Sequence, residues 1–188
     1  IHWPFCRSKC PYCDFYSSAQ KCTDEDALIA GYCQDLSYYH SLNPQYEVQS
    51  IFFGGGTPSL LKPCNINKII DCVYKLWSCV PHMEISLEAN PNSNHPNLFQ
   101  ELRASGINRL SLGVQALNET DLKFLGRTHT LNDALTSISQ VTKIFDNHSI
   151  DLIYARPKQT LPAWQKELQQ AVNFGTKHIS LYQLTIED

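Results

Sequence analysis

Short apolar runs alternate along this chain with longer stretches whose apolar residues recur every three or four positions. The runs His2–Phe5, Val48–Phe53, Glu84–Glu88, Arg109–Gly113, Ile150–Tyr154 and Ile179–Leu184 are rich in Ile, Leu and Phe. They end near Gly, Pro or polar residues, which predicts strands. Between them the period is helical. Thr23, followed by the acidic Asp24–Asp26, predicts an N-cap for a helix carrying Leu28, Tyr32 and Leu36 on one face. Asn65 is expected to cap a helix with Ile66, Ile69, Ile70 and Val73 inward, and Leu98 and Leu102 mark a short helix ending near Gly106. Asn118 is expected to cap a short segment, and Asn132 a longer one with Leu135, Ile138 and Val141. Pro162 suits a first helical turn, with Trp164, Leu168 and Val172 forming its stripe.

Six βα units in sequence imply a parallel sheet with helices outside it. A closed eight-stranded barrel takes about 250 residues. The 188 residues therefore predict an α/β fold, an open and partial (β/α)6 TIM-like barrel, in one domain spanning 1–188. A doubly wound sheet is the alternative.

Composition narrows the function classes. Hydrophobic residues at 43 % and charged residues at 18 % describe a globular chain with enough apolar material for a core, so disorder is excluded. A net charge of −3 without a basic run argues against nucleic acid or an anionic membrane surface as partner. No apolar run approaches the roughly 20 residues of a membrane span, so an integral membrane protein is not expected. The N-terminus carries no secretory signal, which points to the cytoplasm. The chain begins at Ile1, immediately before a cysteine motif, and is expected to be the core of a longer protein lacking its C-terminal part.

Three of eight cysteines, Cys6, Cys10 and Cys13, fall in CRSKCPYC, a C-x3-C-x2-C spacing directly after the first strand. Clustered cysteines without a secretory signal read as metal ligands. Thiolates suit iron–sulfur clusters or zinc. A cubane takes four ligands, so three cysteines leave one iron open to an external molecule. A zinc loop is the alternative and needs a fourth ligand, such as His2 or a distant cysteine. The second strand runs into FFGGGTPS, where Gly54, Gly55 and Gly56 let a ligand approach the backbone closely. The pattern matches neither common nucleotide-phosphate loop.

Together these two motifs resemble the radical S-adenosylmethionine (SAM) superfamily. The resemblance implies a [4Fe–4S] cluster on Cys6, Cys10 and Cys13, with SAM on the open iron and reductive cleavage of SAM to a deoxyadenosyl radical. HWPFCRSKCPYCDF, FFGGGTPSLL, EISLEANP, GINRLSLGVQALN, LGRTHT, IDLIYARPKQT and HISLYQL are similar, in order, to segments of one subfamily. It holds oxygen-independent coproporphyrinogen III oxidase (a dehydrogenase) and the haem chaperone HemW. Carried over motif by motif, the SAM contacts would be Tyr12, Gly55, Gly56, Thr57, Glu88, Gln115, Arg127, Asp151 and Thr185. Arg127 would pair with a carboxylate in fork geometry. Glu88 or Asp151 would accept ribose hydroxyls, and Gln115 offers both donor and acceptor.

Two positions favour the chaperone branch. Phe15 stands where the oxidase has a further cysteine, and EANP replaces an EVDP-type segment. The resemblance then implies haem as a ligand of the full-length protein and apo-haemoproteins as partners. The oxidase branch would instead act on a porphyrinogen, in porphyrin biosynthesis. Either branch implies an electron donor. The HNxxYW-type haem motif of the chaperone belongs to the C-terminal part of longer members and does not occur here. Where the subfamily has DLIYGLP, this chain has Ala155 and Arg156, which narrows the backbone and adds a charge.

The remaining residues read as structural. Cys33, Cys72 and Cys79 are expected to be small buried hydrophobes, and Cys22 and Cys64 to lie in loops. His40, His82, His95 and His148 are expected at the surface. His2 and His129 lie inside the family-like motifs without an expected ligand role. Phe5 and Phe15 are expected to shield the cysteine loop.

Overall fold

The computed structural model describes residues 1–22, 24–91 and 95–185. One six-stranded sheet runs in the order β1 to β6, with every neighbouring pair parallel. Its strands are β1 (His2–Trp3), β2 (Glu47–Gly55), β3 (Ser78–Ala89), β4 (Arg109–Gln115), β5 (Asn147–Tyr154) and β6 (His178–Gln183). The helices are α1 (Glu25–Leu42), α2 (Pro63–Leu76), α3 (Leu98–Ala104), α4 (Glu119–Phe124), α5 (Leu131–Ile144) and α6 (Leu161–Asn173). Sequential order without a switch point is the topology of a partial barrel, not of a doubly wound sheet.

The strands alternate with period two. Ile85, Leu87, Leu110, Leu112, Ile150 and Leu152 lie buried in the main core with Ile66, Ile69, Ile70, Leu102, Ile138 and Val141 of the helices. The opposite, concave face is polar. There Ser149 Oγ donates to Ser111 Oγ at 3.0 Å, and Ser111 Oγ contacts both oxygens of Asp151 at 3.0 and 2.9 Å. Lower on the same face Arg109 donates to Ser86 Oγ at 3.3 Å. Among the described residues, no helix is long and apolar enough to cross a membrane.

Several expected boundaries are corrected. β1 stops at Trp3, because Pro4 has no N–H to continue a ladder, and Phe5 makes only an isolated bridge to Ser18. β3 begins six residues before Glu84. Its pairing with β2 jumps from Val48–Cys79 to Ser50–Glu84, and Pro81 and His82 (φ 57°) sit in the jump, disguising the first half of the strand. β5 begins at Asn147, so Asp151 lies in mid-strand.

The caps differ too. Asp24, whose carboxylate accepts from Ala27 N–H, caps α1; Thr23 lies outside the described residues. α2 starts at Pro63, and Asn65 is buried in its first turn. Glu25 of α1 accepts from the Lys62 N–H at 3.0 Å and from Asn65 Nδ2 at 2.7 Å, so the cap comes from a neighbouring helix. Thr130 caps α5 in a capping box with Asp133, displacing Asn132. Asn118 caps α4 as expected.

On α6 the buried positions are Glu167 and Ala171, and Val172 is exposed. Trp164 is partly buried and lies 5.7 Å from Tyr154, ring to ring. His148 is buried, not at the surface, with Nδ1 2.8 Å from the Phe145 carbonyl. Cys64 is exposed in the first turn of α2, and Cys22 packs partly buried against the core.

Candidate functional site

The cysteine loop leaves the sheet after β1, and its neck is closed by backbone bonds. Cys6 N–H donates to Ser18 O at 2.9 Å, and Ser18 N–H donates to Pro4 O at 2.8 Å. A tight turn brings Cys13 N–H to Cys10 O at 3.1 Å. The loop rests on Gly126, which has φ 66°; a Cβ there would meet Pro11 Cδ at 2.6 Å. This close approach requires glycine on both grounds.

Beyond β2 the chain stays in register with the loop. Gly56 N–H donates to Trp3 O at 2.6 Å, and Thr57 N–H to Phe5 O at 2.9 Å. A Cβ on Gly56 would fall 2.6 Å from the Phe5 carbonyl oxygen. The glycine run therefore lets the second strand's end lie against the root of the cysteine loop.

Cys6, Cys10 and Cys13 all line one cavity of about 230 Å³ at the C-terminal end of the strands. Tyr12, Gly56, Thr57, Glu88, Gln115, Arg127, Asp151 and Thr185 line the same cavity. Gly55 is the expected contact that does not; its backbone N–H bonds the Glu88 carboxylate. Phe15 lines the cavity while remaining half exposed, whereas Phe5 packs edge-on against Trp3 and is not on the wall. His2 and His129 do not line it. His129 is buried with Nε2 3.2 Å from Val114 O, and burial followed by the nearby Arg127 charge lowers its pKa to about 4, so its ring is neutral.

A polar network ties the sulfurs to the strand ends. Thr57 Oγ1 donates to Cys6 Sγ at 3.4 Å and accepts from Asn90 Nδ2 at 3.3 Å. Asn90 Oδ1 accepts from Arg127 Nη2, which also donates to Gly113 O at 3.0 Å. Arg127 Nη1 donates to Cys10 Sγ at 3.4 Å and to the Tyr12 hydroxyl at 3.3 Å. Arg127 Nε is buried without a hydrogen-bond partner among the described residues. Asn90 was missed as a site residue, although it lies inside the EANP segment. Ser111 and Tyr182 also line the cavity, and their only advance signal was an inward position in a strand period.

The electrostatics favour a ligand carrying both signs of charge. Burial raises the Glu88 carboxyl above its ordinary value; the Gly55 N–H opposes this, and Asp151 adds repulsion. Burial also raises Asp151, opposed by bonds from Ser180 and Ser111 and by the Arg109 charge. Two carboxylates and the Arg127 guanidinium thus line one space. Burial pushes the Cys13 thiol up, with the neighbouring Cys10 and Cys6 sulfurs adding to it.

Among the described residues, no three His, Cys, Asp or Glu side chains are gathered around a point fit for one metal ion. The donor set instead offers three thiols on one short loop facing a shared cavity, with a cation and hydroxyl groups beside the sulfurs. Three thiols with one coordination position left to an external ligand fit a multi-iron cluster. At the end of β5, Ala155 adopts φ 60°, and Arg156 is buried in an ion pair with Glu167.

The radical SAM superfamily model matches residues 1–171. The chain is 42 % identical over 188 residues to the haem chaperone HemW of Buchnera aphidicola (subsp. Acyrthosiphon pisum), covering 100 % of this chain and 50 % of that protein. It is 36 % identical over 188 residues to radical S-adenosyl methionine domain-containing protein 1, mitochondrial, of Bos taurus, covering 100 % of this chain and 42 % of that one. The chain spans about half the length of the curated relatives it matches. Coproporphyrinogen III oxidase (HemN) from Escherichia coli superposes with a TM-score of 0.87 over 98 % of this chain and 43 % of that chain, at 26 % identity. Native anSMEcpe with bound AdoMet shares the fold, with a TM-score of 0.68 at 16 % identity, over 96 % of this chain and 49 % of that chain. The chain belongs to the radical SAM superfamily, within its HemN/HemW-like subfamily.

Proposed function

We propose that this superfamily member binds a [4Fe–4S] cluster through Cys6, Cys10 and Cys13 and SAM in the adjoining cavity, and that it acts as a HemW-like haem chaperone. The observation that carries the reading is the meeting of all three thiols with Gly56, Thr57 and Arg127 in one cavity. When bound, such a cluster and SAM supply one-electron radical chemistry.

This chain's residues hold and shape that site. Arg127 orients a carboxylate and keeps positive charge beside the sulfurs. Glu88 and Asp151 accept hydrogen bonds from hydroxyl or ammonium groups. Gln115 and Thr185 line the same cavity, and Tyr12 closes the space beside Cys10 and Arg127. Residues 1–188 are proposed to act as a single radical SAM core domain.

Haem transfer to apo-haemoproteins is proposed for the protein as a whole. Phe15, in place of a further cysteine, supports the chaperone branch, as do the HemW relatives. The similarity to HemN supports a second reading, oxidation of coproporphyrinogen III. Both readings take a reductant for the cluster. A cytoplasmic location is proposed beside the bacterial relatives, with the mitochondrial relatives as the competing address.

Anaerobic reconstitution with iron and sulfide tests the site. About four irons per chain are expected, lost on replacing any one of the three cysteines by Ala. Retained zinc with no iron uptake would overturn the reading. Stable haem uptake without decarboxylation of coproporphyrinogen supports the chaperone branch; catalytic decarboxylation would replace it.

A further inference from the structure

We infer that Arg156, acting with Glu167, is a positioning residue that holds Gln115 in the cavity. The inference rests on the proposed SAM site. At the end of β4, Ala116 N–H donates to Val114 O at 3.0 Å, closing a three-residue turn centred on Gln115 with φ 70°. A γ-turn with positive φ is the rare, strained form. The Gln115 side chain is turned across Gly113: a Cβ on Gly113 would lie 2.9 Å from Gln115 Nε2. The turn is therefore what aims the amide at the cavity. A strained backbone persists only where its surroundings over-determine it.

Arg156 and Glu167 supply that constraint from both sides. Arg156 Nη1 donates to Gln115 O at 3.4 Å and to Glu167 Oε1 at 3.2 Å. Glu167 Oε1 accepts the Leu117 N–H at 2.7 Å. Arg156 Nη2 also bonds Glu167 Oε2 and lies 3.1 Å from Asp121 Oδ2. The carbonyl before Ala116 and the N–H after it are thus gripped by one buried ion pair. Both partners are nearly inaccessible, at 4 % for Arg156 and 7 % for Glu167. A buried pair of this kind adds little net stability over apolar packing of the same volume. Its grip on a strained turn gives it a purpose that stability does not.

The test uses the full-length protein with its cluster reconstituted, as Arg156→Met and as the double variant Arg156→Met/Glu167→Gln. The glutamine keeps an acceptor for Leu117 N–H and removes the buried stranded charge, while the partly exposed Asp121 keeps its bond from Asn118 Nδ2. Both variants should keep parental iron content and bind SAM about tenfold more weakly, the loss expected for one charge-assisted positioning bond. The double variant should recover the parental melting temperature while its SAM affinity stays low. Amide exchange at Ala116 and Leu117 should quicken in Arg156→Met. Unchanged SAM affinity in Arg156→Met, or affinity recovering with melting temperature in the double variant, would show a merely structural pair. An iron-loaded parent that binds no SAM would overturn the site reading instead. Amide exchange would then decide the clamp alone: faster exchange in Arg156→Met supports it, and unchanged exchange removes it.

Discussion

The Arg127 guanidinium donates to the Cys10 sulfur at 3.4 Å, across 117 positions of sequence. Through Asn90 the same guanidinium is linked to Thr57, which bonds Cys6. One cation therefore joins two of the three thiols to the ends of β2, β3 and β4.

Arg127→Ala removes the bonds to Cys10, Tyr12, Asn90 and Gly113 together. SAM affinity of the reconstituted protein is expected to fall at least ~10-fold, since hydrogen bonds from charged groups contribute about 1.5–3 kcal/mol. Arg127→Lys should recover only part, because a compact ammonium lacks the planar fork whose two arms serve Cys10 with Tyr12 and Asn90 with Gly113. Equilibrium binding of SAM checks this, and unchanged affinity removes Arg127 from the site.

Glu88→Gln is expected to raise the melting temperature of the cluster-free protein at neutral pH. The folded-state carboxyl has a raised pKa, mainly from burial, so the folded chain holds this proton more tightly than the unfolded chain. Ionised Glu88 consequently costs stability above its unfolded value, and that cost disappears as pH falls below it. Thermal melts of both proteins should converge as the pH approaches about 4. A constant gap across the range would contradict the assignment.

Two glycines should respond oppositely to alanine. Gly56→Ala drives a methyl against the Phe5 carbonyl, at a cost on the order of 1–3 kcal/mol, and should impair iron uptake. Gly31 lies inside α1 with nothing within 4 Å of its notional Cβ. Gly31→Ala should gain about 0.5–1 kcal/mol and leave iron uptake unchanged. Urea denaturation with iron analysis reads both.

Ala155→Gly should stabilise the protein. Ala155 holds φ 60°, where a side chain costs roughly 1–2 kcal/mol. Against this stands the greater freedom of glycine in the unfolded chain, about 0.4–1 kcal/mol. A net gain on the order of 0.5 kcal/mol is expected from the denaturation midpoint. A loss would mean that the Ala155 methyl makes a compensating contact.

Local information made the βα order, the partial barrel and the cysteine loop legible. Each strand core is a short apolar run, and the C-x3-C-x2-C spacing lies within eight residues, so no folding is needed to see it. Asn118 was readable as a cap because its partner, Asp121, is three residues away. The cap of α2 was not, because Glu25 supplies it from 37 positions upstream of Lys62. β3 was half hidden because Pro81 and His82 break the pattern at the register jump.

The same distinction governs the site. The resemblance named Arg127, Glu88, Gln115 and Asp151 as separate contacts, and their residue types limited what each could bind. Only the folded sheet decided that Asn90 connects Arg127 to Thr57, that Asp151 faces Ser111, and that Arg156 reaches back to Gln115. Residue type and spacing carry short-range chemistry, whereas a hydrogen bond between strand ends depends on register and on the direction of each side chain. Those are settled when the apolar faces of the strands are buried together under the helices, leaving the polar faces to meet one another on the concave side.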